Sequence, residues 1–193
     1  PPPYDIAAAN KLLDDAGYKK GADGIRVAPD GSKFEWEVIT PDNVEGIDRL
    51  FEIVKTSWAE LGITITQKKL DSSAAFEAIG APDWKYEDFD MAIWDWVGYI
   101  DPDFMLSVVL CNQLGGWSDT GYCNPAYDKL YDEQGVALDP AQRKEIVWQM
   151  QDILNADLPY LWVAQKQAIA AYSKQWGGLT APFMQGLSKI PWD

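Results

Sequence analysis

Aromatic and acidic side chains are concentrated in the segment 94–103, which reads WDWVGYIDPD. Indole and phenol rings offer a large contact area with few rotatable bonds, and a carboxylate among them can bind a cation or a hydroxyl group. This pattern indicates the wall of a binding cleft. The alternative is that the tryptophans belong to the core and that the acids cap a helix. The predicted ligand contacts are Trp94, Trp96, Tyr99, Asp101 and, further along the chain, Trp117.

Several kinds of catalytic chemistry are excluded, because the 193 residues include no histidine. Ser-His-Asp and Cys-His nucleophiles and histidine-ligated zinc therefore cannot form. The tripeptide 119–121, DTG, matches aspartic proteases, but it has neither an apolar strand around it nor a second copy. The acids at 101–103 lack the glycine and glutamate of a calcium loop, and no nucleotide-binding motif occurs. We therefore expect no metal and no cofactor.

The balance of charge also limits the partners. The chain has 16 Lys plus Arg and 30 Asp plus Glu, a formal net charge of -14. Such a charge repels phosphate backbones, so we expect no nucleic acid partner. The apolar runs are far shorter than the roughly 20 residues of a transmembrane helix. The sequence starts at Pro1 without a methionine or a signal peptide, so we expect an excised piece of a larger protein.

The two cysteines, Cys111 and Cys123, flank a loop rich in glycine, serine and asparagine. Few other residues of this loop could order it, which favours a disulfide between them. Such a bond would contribute about 3 kcal/mol by the chain-entropy estimate, and it would place the protein outside the reducing cytoplasm. The alternative is a pair of separate, buried thiols.

Alternating strands and helices are predicted to position these residues. Period-two patterns predict strands at 34–40 and 63–70, and apolar residues at steps of three and four predict a helix over 43–61 between them. These three elements form a βαβ crossover with parallel strands. A central strand, 89–97, leads to the cleft residues, because open α/β sheets bind ligands at the carboxyl ends of their strands. Further helices are predicted over 6–16, 72–79, 102–110, from 125 onward and over 140–156.

A series of short motifs runs in one order through nearly the whole chain. They are PYDIAAANKLL with AGY at 3–18, LGI at 61–63, WVG at 96–98, DPD at 101–103, GYCNP at 121–125 and LPY at 158–160. In order and spacing they resemble the peptide/nickel class, family 5, of ABC-transporter solute-binding proteins. The similarity of each motif alone is loose, and its strength comes from the whole series.

The resemblance implies an α/β, three-layer lobe of the type II periplasmic-binding-protein kind, with a mixed sheet flanked by helices. Residues 1–193 would form a single lobe, the C-terminal one of a two-lobed receptor, and 173–193 would cross back toward the other lobe. The receptor would capture an oligopeptide, a dipeptide or a similar small solute and deliver it to the membrane permease of an ABC importer. It would lie outside the cytoplasm, in the periplasm or lipid-anchored at the cell surface.

The resemblance also bears on single residues. Peptide binders of this class place an aspartate soon after W-x-G to neutralise the amino group of the ligand, whereas this chain has Tyr99 there and Asp101 later. Some of these receptors carry a cystine in the loop that matches Cys111 to Cys123. Because half of the cleft would belong to the other lobe, peptide, oligosaccharide, opine-like amino-acid conjugate and metal chelate all stay open as solutes.

Two other classes of protein could use the same residues. A Trp-rich acidic carbohydrate-binding module or glycoside hydrolase would use Asp95 and Asp101 as paired carboxylates on a sugar. An all-β sugar module needs many short strands, and the amphipathic helices argue against it. A protein-interaction module would use the aromatic surface itself as its interface.

Overall fold

The computed structural model describes residues 4–80, 89–96, 98–99 and 101–163. The chain divides into two compact units, residues 1–160 and 161–193. Of the second unit, residues 161–163 are described, and they have no regular secondary structure. The predicted tail, 173–193, lies outside the described residues. In chain order the described elements are α1 (Ile6–Asp15), β1 (Lys19–Lys20), β2 (Arg26–Val27), β3 (Glu35–Pro41), α2 (Ile47–Ala59), β4 (Thr64–Leu70), α3 (Ser72–Gly80), β5 (Met91–Ala92), α4 (Asp103–Ser107), a 3-10 turn (Cys111–Gln113), α5 (Pro125–Val136) and α6 (Pro140–Asp157).

A parallel sheet with the described strand order β4-β3-β5 positions the site. Its middle strand, β3, pairs with β4 over seven residues, from Glu35 opposite Thr64 to Pro41 opposite Leu70. The helix α2 connects these two strands, so the predicted βαβ crossover is confirmed. A separate antiparallel pair, β1 and β2, precedes them. The described strands thus include both parallel and antiparallel pairs.

The predicted strand 89–97 is much shorter than expected, and among the described residues it is an edge strand rather than a central one. Only Met91–Ala92 pairs with β3. Before it, the side chain of Asp90 accepts the backbone N–H of Glu37 at 2.8 Å and takes the place of a strand residue. After it, the register brings the chain opposite Pro41, which has no N–H to continue the ladder. The predicted residue 97 lies outside the described residues.

Helices cover both faces of this sheet. Successive residues of a strand point to opposite faces, so Val38 packs with Phe51 of α2, whereas Ile39 packs with Ala75 and Ile79 of α3. A third cluster lies among α4, α5 and α6, with Tyr127 and other buried residues at its centre. This arrangement of helix, sheet and helix confirms the predicted three-layer α/β fold.

Most predicted helix starts are confirmed by their caps. The side chains of Asp5, Asn124 and Asp139 accept a backbone N–H at the starts of α1, α5 and α6. Asp71 does the same for α3. The short α4 differs, because it ends at Ser107 rather than at residue 110, where the N–H of Leu110 turns back to the carbonyl of Ser107.

A buried arginine joins α1 to the end of α2. The side chain of Arg26 is 1% exposed, and its guanidinium donates to the carboxylate of Asp14 at 2.7 Å and to the backbone oxygen of Leu61 at 2.6 Å. It also donates to the side-chain oxygen of Asn10 at 2.6 Å and to the backbone oxygen of Tyr18. A buried charge needs this number of partners, so the contact is a structural link between distant segments.

Candidate functional site

A cavity of about 310 Å³ lies where the chain leaves β5. Four elements contribute to its wall: α3, the segment after β5, the start of α4, and the loop between the 3-10 turn and α5. Four of the five predicted ligand contacts are brought together there, and Asp101 is not among the lining residues. The lining residues are Phe76, Ile79, Trp94, Asp95, Trp96, Tyr99, Phe104, Trp117 and Asp119.

Aromatic rings arranged edge to face form one side of the cavity. The rings of Trp96 and Phe104 are 5.9 Å apart, and each lies 6.2 Å from the ring of Trp117. Tyr99 joins this group through Phe104, at 5.3 Å. Such geometry places the positive edge of one ring against the negative face of the next. The rings therefore support one another through their own contacts.

The two tryptophans after β5 connect the cavity to two different cores. Trp94 packs with the buried cluster of Ile39 and Ile79, and its ring lies 6.3 Å from that of Phe76. Trp96 packs instead against the cluster beneath α4, α5 and α6. Both side chains are half-buried. Each therefore packs against its core with one part and lines the cavity with the other.

Asp119 is the least expected member of this wall. One of its carboxylate oxygens accepts the indole N–H of Trp96 at 3.2 Å, and the other accepts the hydroxyl of Tyr160. Burial raises the pKa of the Asp119 carboxyl above its ordinary value, despite these hydrogen bonds. The sequence shows Asp119 only as part of a weak protease-like tripeptide. Its position two residues after Trp117, in the same loop, is the signal that could have placed it in the site.

Asp101 forms a salt bridge with Arg143 of α6, and its predicted contact with a ligand stays a prediction. Its two carboxylate oxygens bind the guanidinium of Arg143 at 2.7 and 2.8 Å, and one of them accepts the backbone N–H of Asp103. The hydrogen bond from Arg143 and that N–H lower the pKa of Asp101 to about 2. Asp101 therefore fixes the start of α4 against α6. The glycoside hydrolase alternative needs Asp101 as the second carboxylate beside Asp95. In the structure Arg143 binds that carboxylate.

The predicted disulfide between Cys111 and Cys123 is present, with Cα atoms 4.4 Å apart. It joins the two ends of the loop that carries Trp117 and Asp119. The backbone N–H of Cys111 also donates to the carboxylate of Asp128 on α5, at 3.2 Å. The loop is thereby attached to the helical core at the same end at which the disulfide closes it.

Phe76, Ile79 and Phe104 were missed by sequence reasoning, because their apolar spacing predicts only the buried faces of α3 and α4.

Among the described residues, no group of three or more His, Cys, Asp or Glu side chains is placed to hold a metal ion. In the same part of the chain, no helix has the combination of length and apolar composition that a membrane span requires.

The family of this chain follows from comparison with known proteins. Residues 1–116, more than half of the chain, match the middle region of bacterial extracellular solute-binding proteins, family 5. The chain belongs to this family, which confirms the predicted class. The members of the family are extracellular solute-binding proteins, a class distinct from enzymes.

Individual relatives are longer than this chain. Protein XP55 of Streptomyces lividans is 30% identical over 183 residues, which are 92% of this chain and 32% of that protein. A dipeptide-binding protein of Pseudomonas aeruginosa is 26% identical over 184 residues, 94% of this chain and 32% of its own length. This chain thus spans about a third of the length of each of these relatives.

The fold is also that of a solved receptor lobe. The structure of the oligopeptide-binding protein AppA from Bacillus subtilis, in complex with a nonapeptide, superposes with a TM-score of 0.69. The superposition covers 81% of this chain and 31% of AppA, at 24% sequence identity. This likeness shows the fold, and it confirms the type II periplasmic-binding-protein-like lobe.

Proposed function

We propose that this chain is one lobe of a receptor that captures a small solute and delivers it to the permease of an ABC importer. The observation that carries the proposal is the aromatic cavity at the end of β5 in a chain of family 5. The preferred solute class is an oligopeptide or a dipeptide, since one similar relative is a dipeptide-binding protein. The role is binding and release, without a chemical step.

The exposure of the cavity supports a site shared between two lobes. Tyr99 is 71% exposed and Trp117 is 54% exposed, although both are large apolar side chains in a concave wall. Clustered exposed aromatics mark a surface that another molecule or domain covers. In this proposal residues 1–193 form one lobe, the tail 173–193 crosses toward the other lobe, and closure of the two excludes water from the solute.

The disulfide supports a location outside the cytoplasm, because such bonds persist in oxidising compartments. We place the complete protein in the periplasm or, lipid-anchored, at the cell surface. There the ring faces of Trp94, Trp96 and Trp117 would bind apolar parts of the solute, and the carboxylates of Asp95 and Asp119 would bind its donor groups.

A pair of tryptophan variants tests this proposal in the complete protein. Trp117→Ala removes a ring from the cavity, whereas Trp148→Ala removes a ring of similar exposure from α6, where it contacts Lys144. Calorimetric titration with di-, tri- and tetrapeptides, and with oligosaccharides, measures the affinity of each form. We expect Trp117→Ala to weaken binding of the preferred solute at least tenfold, about 1.4 kcal/mol, and Trp148→Ala to change it less than twofold.

Several outcomes of these titrations would contradict the proposed function. A protein that binds none of these solutes, or that hydrolyses an oligosaccharide, is not a transport receptor of the proposed kind. Equal effects of the two tryptophan variants would show that the solute does not contact the cavity. Tight binding by Trp117→Ala would lead to the same conclusion.

A further inference from the structure

The short helix α4 carries Phe104, a ring that contacts three other aromatic rings of the cavity wall. The distances between ring centroids are 5.9 Å to Trp96, 5.3 Å to Tyr99 and 6.2 Å to Trp117. A helix of only five residues is not stable by itself. The position of Phe104, and with it the shape of the wall, therefore depends on the contacts that hold α4 in place.

The two ends of α4 are held in different ways. Near its C-terminal end the side chain of Leu106 is buried, and its backbone oxygen accepts the hydroxyl of the buried Tyr127 on α5 at 2.8 Å. At its start, Pro102 and Asp103 are both exposed, so no apolar side chain there anchors the helix to the core. Polar side chains of α5 and α6 hold this end instead.

These side chains form a closed ring of hydrogen bonds. Arg143 of α6 donates to both carboxylate oxygens of Asp101, and its Nε donates to the side-chain oxygen of Gln134 at 3.0 Å. Gln134 of α5 donates in turn to the carboxylate of Asp103 at 2.9 Å. The backbone N–H of Asp103 completes the ring by donating to Asp101 at 2.9 Å. Three helices are thus joined at the residues that come just before Phe104.

Gln134 is the buried member of this ring. Its side chain is 1% exposed and lies between a guanidinium and a carboxylate. A side-chain amide has both an acceptor and a donor, so it satisfies both neighbours without adding a charge. A carboxylate at this position would face Asp103 with like charge, and an apolar side chain would leave both hydrogen bonds unmade. The two partners, rather than packing, therefore determine the type of residue at 134.

We propose that Gln134 and Arg143 are positioning residues of the binding site, which fix the start of α4 and thereby the ring of Phe104 against the solute. Neither residue lines the cavity, so their effect on the solute passes through Phe104. This inference rests on the proposed function and identifies residues that set the shape of its site. A contact that only stabilises the fold would change the free energy of unfolding and leave the solute affinity unchanged.

Three variants of the complete protein test this role. Gln134→Glu keeps the size of the side chain and replaces the donor to Asp103 with a second carboxylate. Arg143→Lys keeps the charge but loses the planar fork that reaches Gln134 and both oxygens of Asp101 together. Arg26→Met removes a buried arginine whose partners do not line the cavity, and it is the control for lost stability. Each variant is titrated calorimetrically at pH 7 with the peptides Ala-Phe, Ala-Phe-Ala and Ala-Phe-Ala-Ala.

We expect Gln134→Glu and Arg143→Lys to weaken binding of the tightest of these peptides by roughly 3- to 30-fold, the range in which residues outside a site modulate it. Arg26→Met should change the same affinity by less than twofold. In a Phe104→Leu background, Gln134→Glu should also change the affinity by less than twofold, because the ring through which it acts is absent.

A measurement without ligand separates this inference from the proposed function. Fluorotryptophan is incorporated into the protein, and Trp117→Phe identifies the fluorine NMR resonance of Trp117, whose ring packs against Phe104. Gln134→Glu should shift this resonance, because the ring beside it moves. Arg26→Met should leave the resonance unchanged.

Other results overturn the inference. If Gln134→Glu weakens binding equally with and without the Phe104 ring, it acts by another route. If Gln134→Glu and Arg143→Lys bind as tightly as the unmodified protein, or if the Trp117 resonance does not shift, the hydrogen-bond ring has only a structural role.

Failure of the proposed function has a different signature. If no peptide binds while the Trp117 resonance still shifts, the receptor function fails and the positioning of the wall stands. Thermal unfolding curves establish that each variant is folded at the temperature of the titration. Arg143→Lys, which adds no buried charge, decides the outcome if Gln134→Glu does not fold.

Discussion

Removal of the disulfide tests how the cavity wall is held. The double variant with Cys111→Ala and Cys123→Ala opens a loop whose ends are 12 residues apart. The chain-entropy relation assigns a closed loop of this size about 3 kcal/mol at 25 °C. Each kcal/mol changes the melting temperature of a domain of 150 to 250 residues by about 2–4 °C. We therefore expect a melting temperature about 6–12 °C lower.

The effect on binding should be smaller than the effect on stability. Without the disulfide, the loop still has the hydrogen bond from Trp96 to Asp119 and the contact of Cys111 N–H with Asp128. These contacts hold Trp117 and Asp119 near their positions in the folded state. We expect the solute affinity of the double variant to fall by less than tenfold.

Thermal unfolding followed by circular dichroism, with and without reductant, provides the measurement. Reductant should lower the melting temperature of the unmodified protein to that of the double variant and leave the variant unchanged. Thiol titration must find two free thiols in the reduced sample. If the reduced protein still melts within about 2 °C of the oxidised one, closure of this loop does not stabilise the fold.

Three other substitutions have defined outcomes. Arg26→Met removes a buried guanidinium and leaves the backbone oxygens of Leu61 and Tyr18 without this donor, so urea unfolding should show a loss of about 1–3 kcal/mol; a loss below about 0.5 kcal/mol would contradict the structural link. Arg143→Gln should lower the melting temperature at pH 7. Its effect should shrink as the pH falls from the ordinary pKa of Asp101, 3.8, through about 2, because the pair needs the charged carboxylate; an effect that does not depend on pH would exclude the pair as its cause. Asp119→Asn should raise the melting temperature at pH 7, since the raised pKa of Asp119 means that its charged form destabilises the fold. That gain should shrink as acid protonates Asp119, and a loss of stability at neutral pH would refute this assignment.

Local patterns in the sequence were sufficient to predict much of the fold. The stripe on α2 and the caps of α1, α5 and α6 depend on neighbours within a few residues, so their period and residue type are visible in the sequence. The paired strands β3 and β4 follow from the same rule, because a short helix between them leaves only a parallel crossover. The disulfide could be predicted because both cysteines flank the same loop.

The predicted strand 89–97 failed because pairing depends on the partner. Its apolar composition is that of a strand, but the length of β5 is limited by Asp90 on one side and by Pro41 of β3 on the other. The pattern of residues 89–97 alone predicts neither the hydrogen bond of Asp90 nor the position of Pro41 opposite the strand. Regular pairing ends, and the chain that carries Trp94 and Trp96 turns into the cavity instead.

The sequence by itself determined which residue types surround the candidate site, namely tryptophans, Tyr99 and several acids in and after one segment. Only the tertiary structure decided which acid faces the cavity. Arg143 lies 42 residues after Asp101 and reaches it because α6 packs beside α4. Trp96 likewise reaches Asp119, 23 residues later, through the closed loop. Charge pairing between distant segments depends on packing, and spacing along the chain does not encode it.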